Sequence, residues 1–202
     1  MNAGDPVAAG VWPTLFGSVG ALFTCFLVIP VVNWCAQTYG KLNTFIASQS
    51  VSLLGYILLW WGFSPEDPWM MFIPLPLFAF GIGGLFTIMM SMTADICDMD
   101  ELETGERREG TFGAIYWWMV KVGFGIAGAL SGVIITVVGF SPDLTTQDQQ
   151  AAVDGLHAFF CFFPMGGTII AMIIMWNYSI TEGKANEIKE ILTKRKNEKS
   201  TK

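Results

Sequence analysis

Within residues 110–140 a single charged side chain, Lys121, interrupts an otherwise uncharged run. If a helix starts near Gly110, eleven residues at about 1.5 Å each place Lys121 roughly 16 Å along it. In a lipid-crossing helix that depth is close to the bilayer midplane, where a cation costs about 3 kcal/mol, so the ammonium must face protein or a water-filled cavity. The plainer fates of such a lysine are snorkelling to a surface or a structural ion pair, but the depth makes snorkelling difficult and a polar cavity fits better. Trp117 and Trp118 lie four and three residues earlier, so one or both share its face. An indole beside a cationic hydrogen-bond donor is a platform for an uncharged, hydroxyl-rich ligand. Plain aromatic packing between helices accounts for the two tryptophans equally well.

The second concentration of chemistry is residues 95–109, where Asp95, Asp98, Asp100, Glu101, Glu103 and Glu106 precede Arg107, Arg108 and Glu109. A metal site is not expected, because the carboxylates lack calcium-loop spacing and no histidine joins them. A solvated charged loop is one reading. The other is an ionic latch, in which acids and arginines exchange partners at a membrane surface as packed bodies rock, since such arrangements differ by only a few kcal/mol. The four cysteines stand in no metal-ligand or redox spacing and read as free thiols used as small hydrophobes. The lone His157 reads as an interfacial or loop-bonded residue ahead of a proton relay. An enzyme would need convergent nucleophile, base or metal groups, and one buried lysine without a partner acid supplies none, so no enzymatic activity and no cofactor are expected.

The elements that hold these residues follow from composition. Hydrophobic residues make up 52% of the chain and charged ones 14%, too apolar a surface for water alone to solvate. The net charge of −6 is confined to loops and tail and forms no basic face, which excludes nucleic acid as a partner. A bilayer core needs roughly 20 apolar residues. Runs of that kind occur at about 8–38, 42–63, 68–94, 110–140 and 155–180, predicting an all-α polytopic bundle of five spans within residues 1–181 and a tail over 182–202. The first run reads as one span, tilted or turned at Pro13. No removable signal peptide is expected from the opening residues, which lack a basic region before the apolar run.

Loop charge sets the orientation. Lys41, Arg107, Arg108 and the seven Lys and Arg of the tail all fall on one side, whereas the other side carries Asp5, Glu66, Asp67, Asp143, Asp148 and Asp154. By the positive-inside rule the N-terminus is outside and the tail cytoplasmic, in a cell inner membrane. The tail reads as an amphipathic helix with Ile188, Ile191 and Leu192 on one side, a solvated end touching lipid headgroups. Ser48, Gln49, Ser50 and Ser52 must face protein in hydrocarbon. Gly81, Gly83 and Gly84 in the third span, and a GxxxG at Gly128 and Gly132 in the fourth, allow close helix approach.

At the acidic stretch and the helix after it the sequence resembles the glycoside–pentoside–hexuronide:cation symporters of the major facilitator superfamily. The pattern A-D-x-x-D-x-x-E, then T-G-x-R-x-E-G, then a lysine eleven residues into the next span stands here as Ala94, Asp95, Asp98, Glu101, Thr104, Gly105, Arg107, Glu109, Gly110 and Lys121. The resemblance implies a partial C-terminal half of that fold, about helices eight to twelve. It implies a sugar or glycoside carried with sodium or protons by alternating access. Lys121, with Trp117 and Trp118, would face substrate; Asp95, Asp98, Glu101, Arg107 and Glu109 would form the cytoplasmic charge network; the coupling-cation site would lie in the absent N-terminal half. The alternative is a non-transporting membrane scaffold or a truncated, non-functional product.

Overall fold

The computed structural model describes residues 6–62, 68–139, 146–178 and 180–200, and within them the regular structure is helical throughout. The first span is a continuous rod: α1 (Pro6–Phe23), a five-residue π segment (Thr24–Val28) and α2 (Ile29–Tyr39). Its irregularity lies before Pro30, and the helix passes through Pro13, where a turn was one expectation from sequence. Proline has no N–H to give and its ring would strike the carbonyl four residues back. A wider turn, closed by the Ile29 N–H on the Thr24 carbonyl, carries the chain past that point.

Gly40, at a φ of 86° that side chains disfavour, separates α2 from α3 (Lys41–Gly62). A 3-10 turn (Pro68–Phe72) leads into α4 (Leu75–Thr104), whose 30 residues extend to about 45 Å, well past the roughly 30 Å of a hydrocarbon core. The acidic stretch read as a loop is therefore mostly helix, and only residues 105–108 turn the chain. Helix propensity explains this: Glu, Met and Leu favour helix, and nothing before Gly105 breaks it. Next come α5 (Glu109–Val137), α6 (Thr146–Trp176) and α7 (Glu182–Ser200). Five of the helical rods are long and apolar enough to cross a membrane.

The tightest seam joins α3 to α4. A Cβ at Gly81 would lie 2.3 Å from the Ser52 side chain, at Gly84 2.4 Å from Ser48 Oγ, and at Gly55 2.7 Å from the Phe78 backbone nitrogen. Glycines on one helix thus admit serines or backbone of the other, and Gln49 Nε2 donates to the Gly81 carbonyl at 2.9 Å. Gly83 receives Val28 of the π segment in the same way, so three helical stretches meet over Val28, Val32, Phe45, Ala79, Ile88 and Met92. Ser48, Gln49 and Ser52 are buried as their polarity requires, whereas Ser50 is exposed and donates back to the Ile46 carbonyl at 2.8 Å.

In α5 no described residue is buried, and Gly123, Gly125, Gly128 and Gly132 have no heavy atom within 4 Å of an added Cβ. Among the described residues nothing packs onto the GxxxG of this helix. The tail also differs from its reading as a solvated end. Ala185, Ile188 and Leu192 are buried, and α7 packs against the far end of α4.

Candidate functional site

Two places merit chemical description, the middle of α5 and the charged end of the bundle. Lys121 is exposed near the middle of α5, and no hydrogen bond or ion pair holds its ammonium among the described residues. Trp117 is 48% and Trp118 64% exposed, with the Trp117 ring meeting Tyr116 edge-on at 5.4 Å between centroids.

 Cavities of about 490, 460 and 480 Å³ lie elsewhere: between α2 and α3, between α1 and α4, and between α3 and α6, with largely apolar linings.

The charged end is built from α4, the turn after it, α5 and α7. Asp95, 3% exposed, accepts from Lys41 at the first position of α3 and from Lys189 of α7, the latter at 3.1 Å. A carboxylate so deeply buried is tolerable only with such partners, because desolvating an unpaired one costs several kcal/mol. Gly105, at a φ of 76°, ends α4 with its N–H on the Glu101 carbonyl, and this left-handed residue turns Arg107 back over the helix. Arg107 then reaches Glu101 at 2.6 Å and Asp98 at 3.3 Å on α4, and Glu109 at 2.8 Å on α5. Those hydrogen bonds, first to Glu109 and then to Glu101, raise its already high pKa. Arg108 Nε bonds Asp100 at 2.8 Å.

The tail helix completes this end. Lys196 lies 3.6 Å from Glu101, and Arg195 donates to the Leu102 carbonyl at 3.2 Å. Its partners advance along both helices together, from Lys189 and Asp95 to Lys196 and Glu101, so α7 runs parallel to α4 and away from the apolar core of the bundle.

Of the residues singled out from sequence, Asp98, Glu101, Arg107 and Glu109 come together around one guanidinium, while Asp95 belongs to a separate knot with Lys41 and Lys189. Lys121, Trp117 and Trp118 are far along α5 from both knots. Asp100 and Arg108 stood in the stretch read as a latch, whereas sequence reasoning missed Lys41, Lys189 and Lys196 as members. The available signal was the position of Lys189 beside the apolar Ile188 and Leu192, a face that had to dock somewhere.

The profile of the family described as MFS/sugar transport protein matches residues 2–182, and the chain belongs to that family of membrane transport proteins, not of enzymes. It is a multi-pass membrane chain by that membership and by its five long apolar helices. It is 28% identical to the glucuronide carrier protein homolog of Escherichia coli (strain K12), over 79% of this chain and 34% of that protein. It is 24% identical to the isoprimeverose transporter of Lactiplantibacillus pentosus, over 80% and 33% respectively. The uncharacterized symporter YjmB of Bacillus subtilis (strain 168) is 25% identical over 84% of this chain and 36% of that protein. The chain thus spans about a third of the length of these relatives. No solved structure matches it.

Proposed function

We propose that this chain serves secondary active transport of a sugar or glycoside, coupled to sodium or protons and working by alternating access. The observation that carries the proposal is Lys121: in a member of a sugar transport family, the lone charge beyond the first residue of a long apolar helix stands exposed, on a helix that buries none of its side chains among the described residues. A cation at that depth needs polar company, which substrate hydroxyls or carboxylates of further helices would supply. Trp117 and Trp118 would offer the sugar an apolar ring face. Relatives named for a glucuronide and for isoprimeverose support a glycoside as the substrate class. The bundle would sit in the inner membrane with its N-terminus outside and its charged end in the cytoplasm, where Asp98, Glu101, Arg107 and Glu109 would act as an ionic latch. Asp95 would anchor the same end. The coupling cation would bind helices beyond this chain.

The test is uptake of labelled glycosides by a chimera in which this chain replaces its matching portion of the glucuronide carrier protein homolog. Lys121→Leu should lower uptake at least tenfold at normal membrane abundance, and Lys121→Arg should rescue poorly because a planar fork replaces a compact ammonium. Uptake by Lys121→Leu at the unsubstituted rate would overturn the site. Labelling of an Arg108→Cys variant from outside intact cells would overturn the orientation.

A further inference from the structure

Tyr178 stands in the short connection between α6 and α7, packed against the core cluster. Its hydroxyl is buried and meets no acceptor among the described residues. Burial above all, then the carboxylates of Asp95 and Glu182, pushes its pKa up to about 12, so the phenol keeps its proton and remains a donor. The nearby Asp95 already holds Lys41 on one oxygen and Lys189 on the other.

We propose that α7 is a clasp that opens by partner exchange, in which Lys189 leaves Asp95 and the Tyr178 hydroxyl donates to the freed carboxylate oxygen. With the clasp closed, Asp95 holds two cations and the phenol is unsatisfied; with it open, Asp95 holds Lys41 and the phenol, and Lys189 is released to solvent. The phenol lowers the cost of opening, because the carboxylate oxygen that Lys189 leaves gains a donor and is not left bare. Asn177, Tyr178, Ile180 and Thr181 belong to the hinge, since they lie between the end of α6 and the start of α7. Three contacts hold the closed form besides Lys189: the apolar face of Ala185, Ile188 and Leu192, the Lys196–Glu101 pair, and the Arg195 bond to Leu102. Lys41 is the first residue of α3, directly after the Gly40 turn, so the state of the clasp is felt where α2 meets α3.

The experiment is maleimide labelling of a Leu192→Cys variant of the whole chain in lipid nanodiscs, with the modified peptide identified by mass spectrometry. Leu192 is 6% exposed in the closed form, so labelling reports opening. Adding Lys189→Met should speed it at least tenfold. Adding Tyr178→Phe should slow it about threefold, since the open form loses its donor to Asp95. In an Asp95→Asn background, which keeps the shape but removes the charge-assisted bond, Tyr178→Phe should change the rate less than about 1.5-fold. An unchanged rate in Lys189→Met would overturn the clasp. Equal slowing by Tyr178→Phe in both backgrounds would overturn the exchange and leave Tyr178 a packing residue.

Discussion

Helices α4 and α5 are of nearly equal length, both apolar enough to cross a membrane, and both carry a row of glycines, yet among the described residues only α4 buries side chains. In α4 the glycines receive Ser48, Ser52 and Val28, and a buried amide ties the seam. In α5 the glycines face open space. Apolarity cannot tell these helices apart, because lipid solvates an apolar side chain as well as a neighbouring helix does. What selects a partner in that solvent is shape and the need of polar groups for one another. The serines and glutamine of α3 find their counterparts on α4, whereas Lys121 of α5 finds none here.

The largest expected effect comes from removing the knot that ties the charged end of the packed region. Asp95→Ala leaves Lys41 and Lys189 without their carboxylate and should destabilise the purified chain by roughly 3 kcal/mol in denaturation. Arg107→Ala removes more bonds but from a side chain 40% exposed, and should cost under about 1 kcal/mol. If the two variants melt alike, burial is not what distinguishes the knots.

A smaller effect is expected at the seam. Gly81→Leu drives a Cβ to within 2.3 Å of Ser52 and strains the Gln49 bond to the Gly81 carbonyl, so it should cost roughly 2 kcal/mol by overpacking. Undiminished stability would mean that α3 and α4 can separate freely at that point.

The sequence made the spans legible because hydrocarbon demands long uncharged runs, and it made the shared end of Lys41, Arg107 and the tail lysines legible because charge asymmetry follows orientation. It also marked Asp98, Glu101, Arg107 and Glu109 through a resemblance whose pattern is mostly these charges. It did not disclose that Asp95 pairs elsewhere, since its partners Lys41 and Lys189 are 54 and 94 residues away and only tertiary packing brings them together. The helical character of the acidic stretch was obscured by its charge, which reads as loop although its residues favour helix. The docking of α7 was half visible: the apolar side of the tail was plain, but its partner could be headgroups or protein until the length of α4 was known.

The smallest effect should come from Gly128→Leu, and it is the sharpest test of the contrast. Among the described residues a Cβ added at Gly128 meets no atom within 4 Å, so the first atom of a side chain enters open space. Replacing glycine by leucine inside a helix also favours helix by up to about 0.8 kcal/mol, so the stability of the chain should hold or rise slightly while Gly81→Leu falls. The outcome should reverse in the uptake chimera, where further helices would cover α5. If the small face of Gly128 and Gly132 admits one of them, the same leucine should reduce transport without reducing the stability of this chain alone. A Gly128→Leu variant that destabilises the isolated chain as much as Gly81→Leu would show that α5 is packed within it after all, and the division into a packed and an open region would fail.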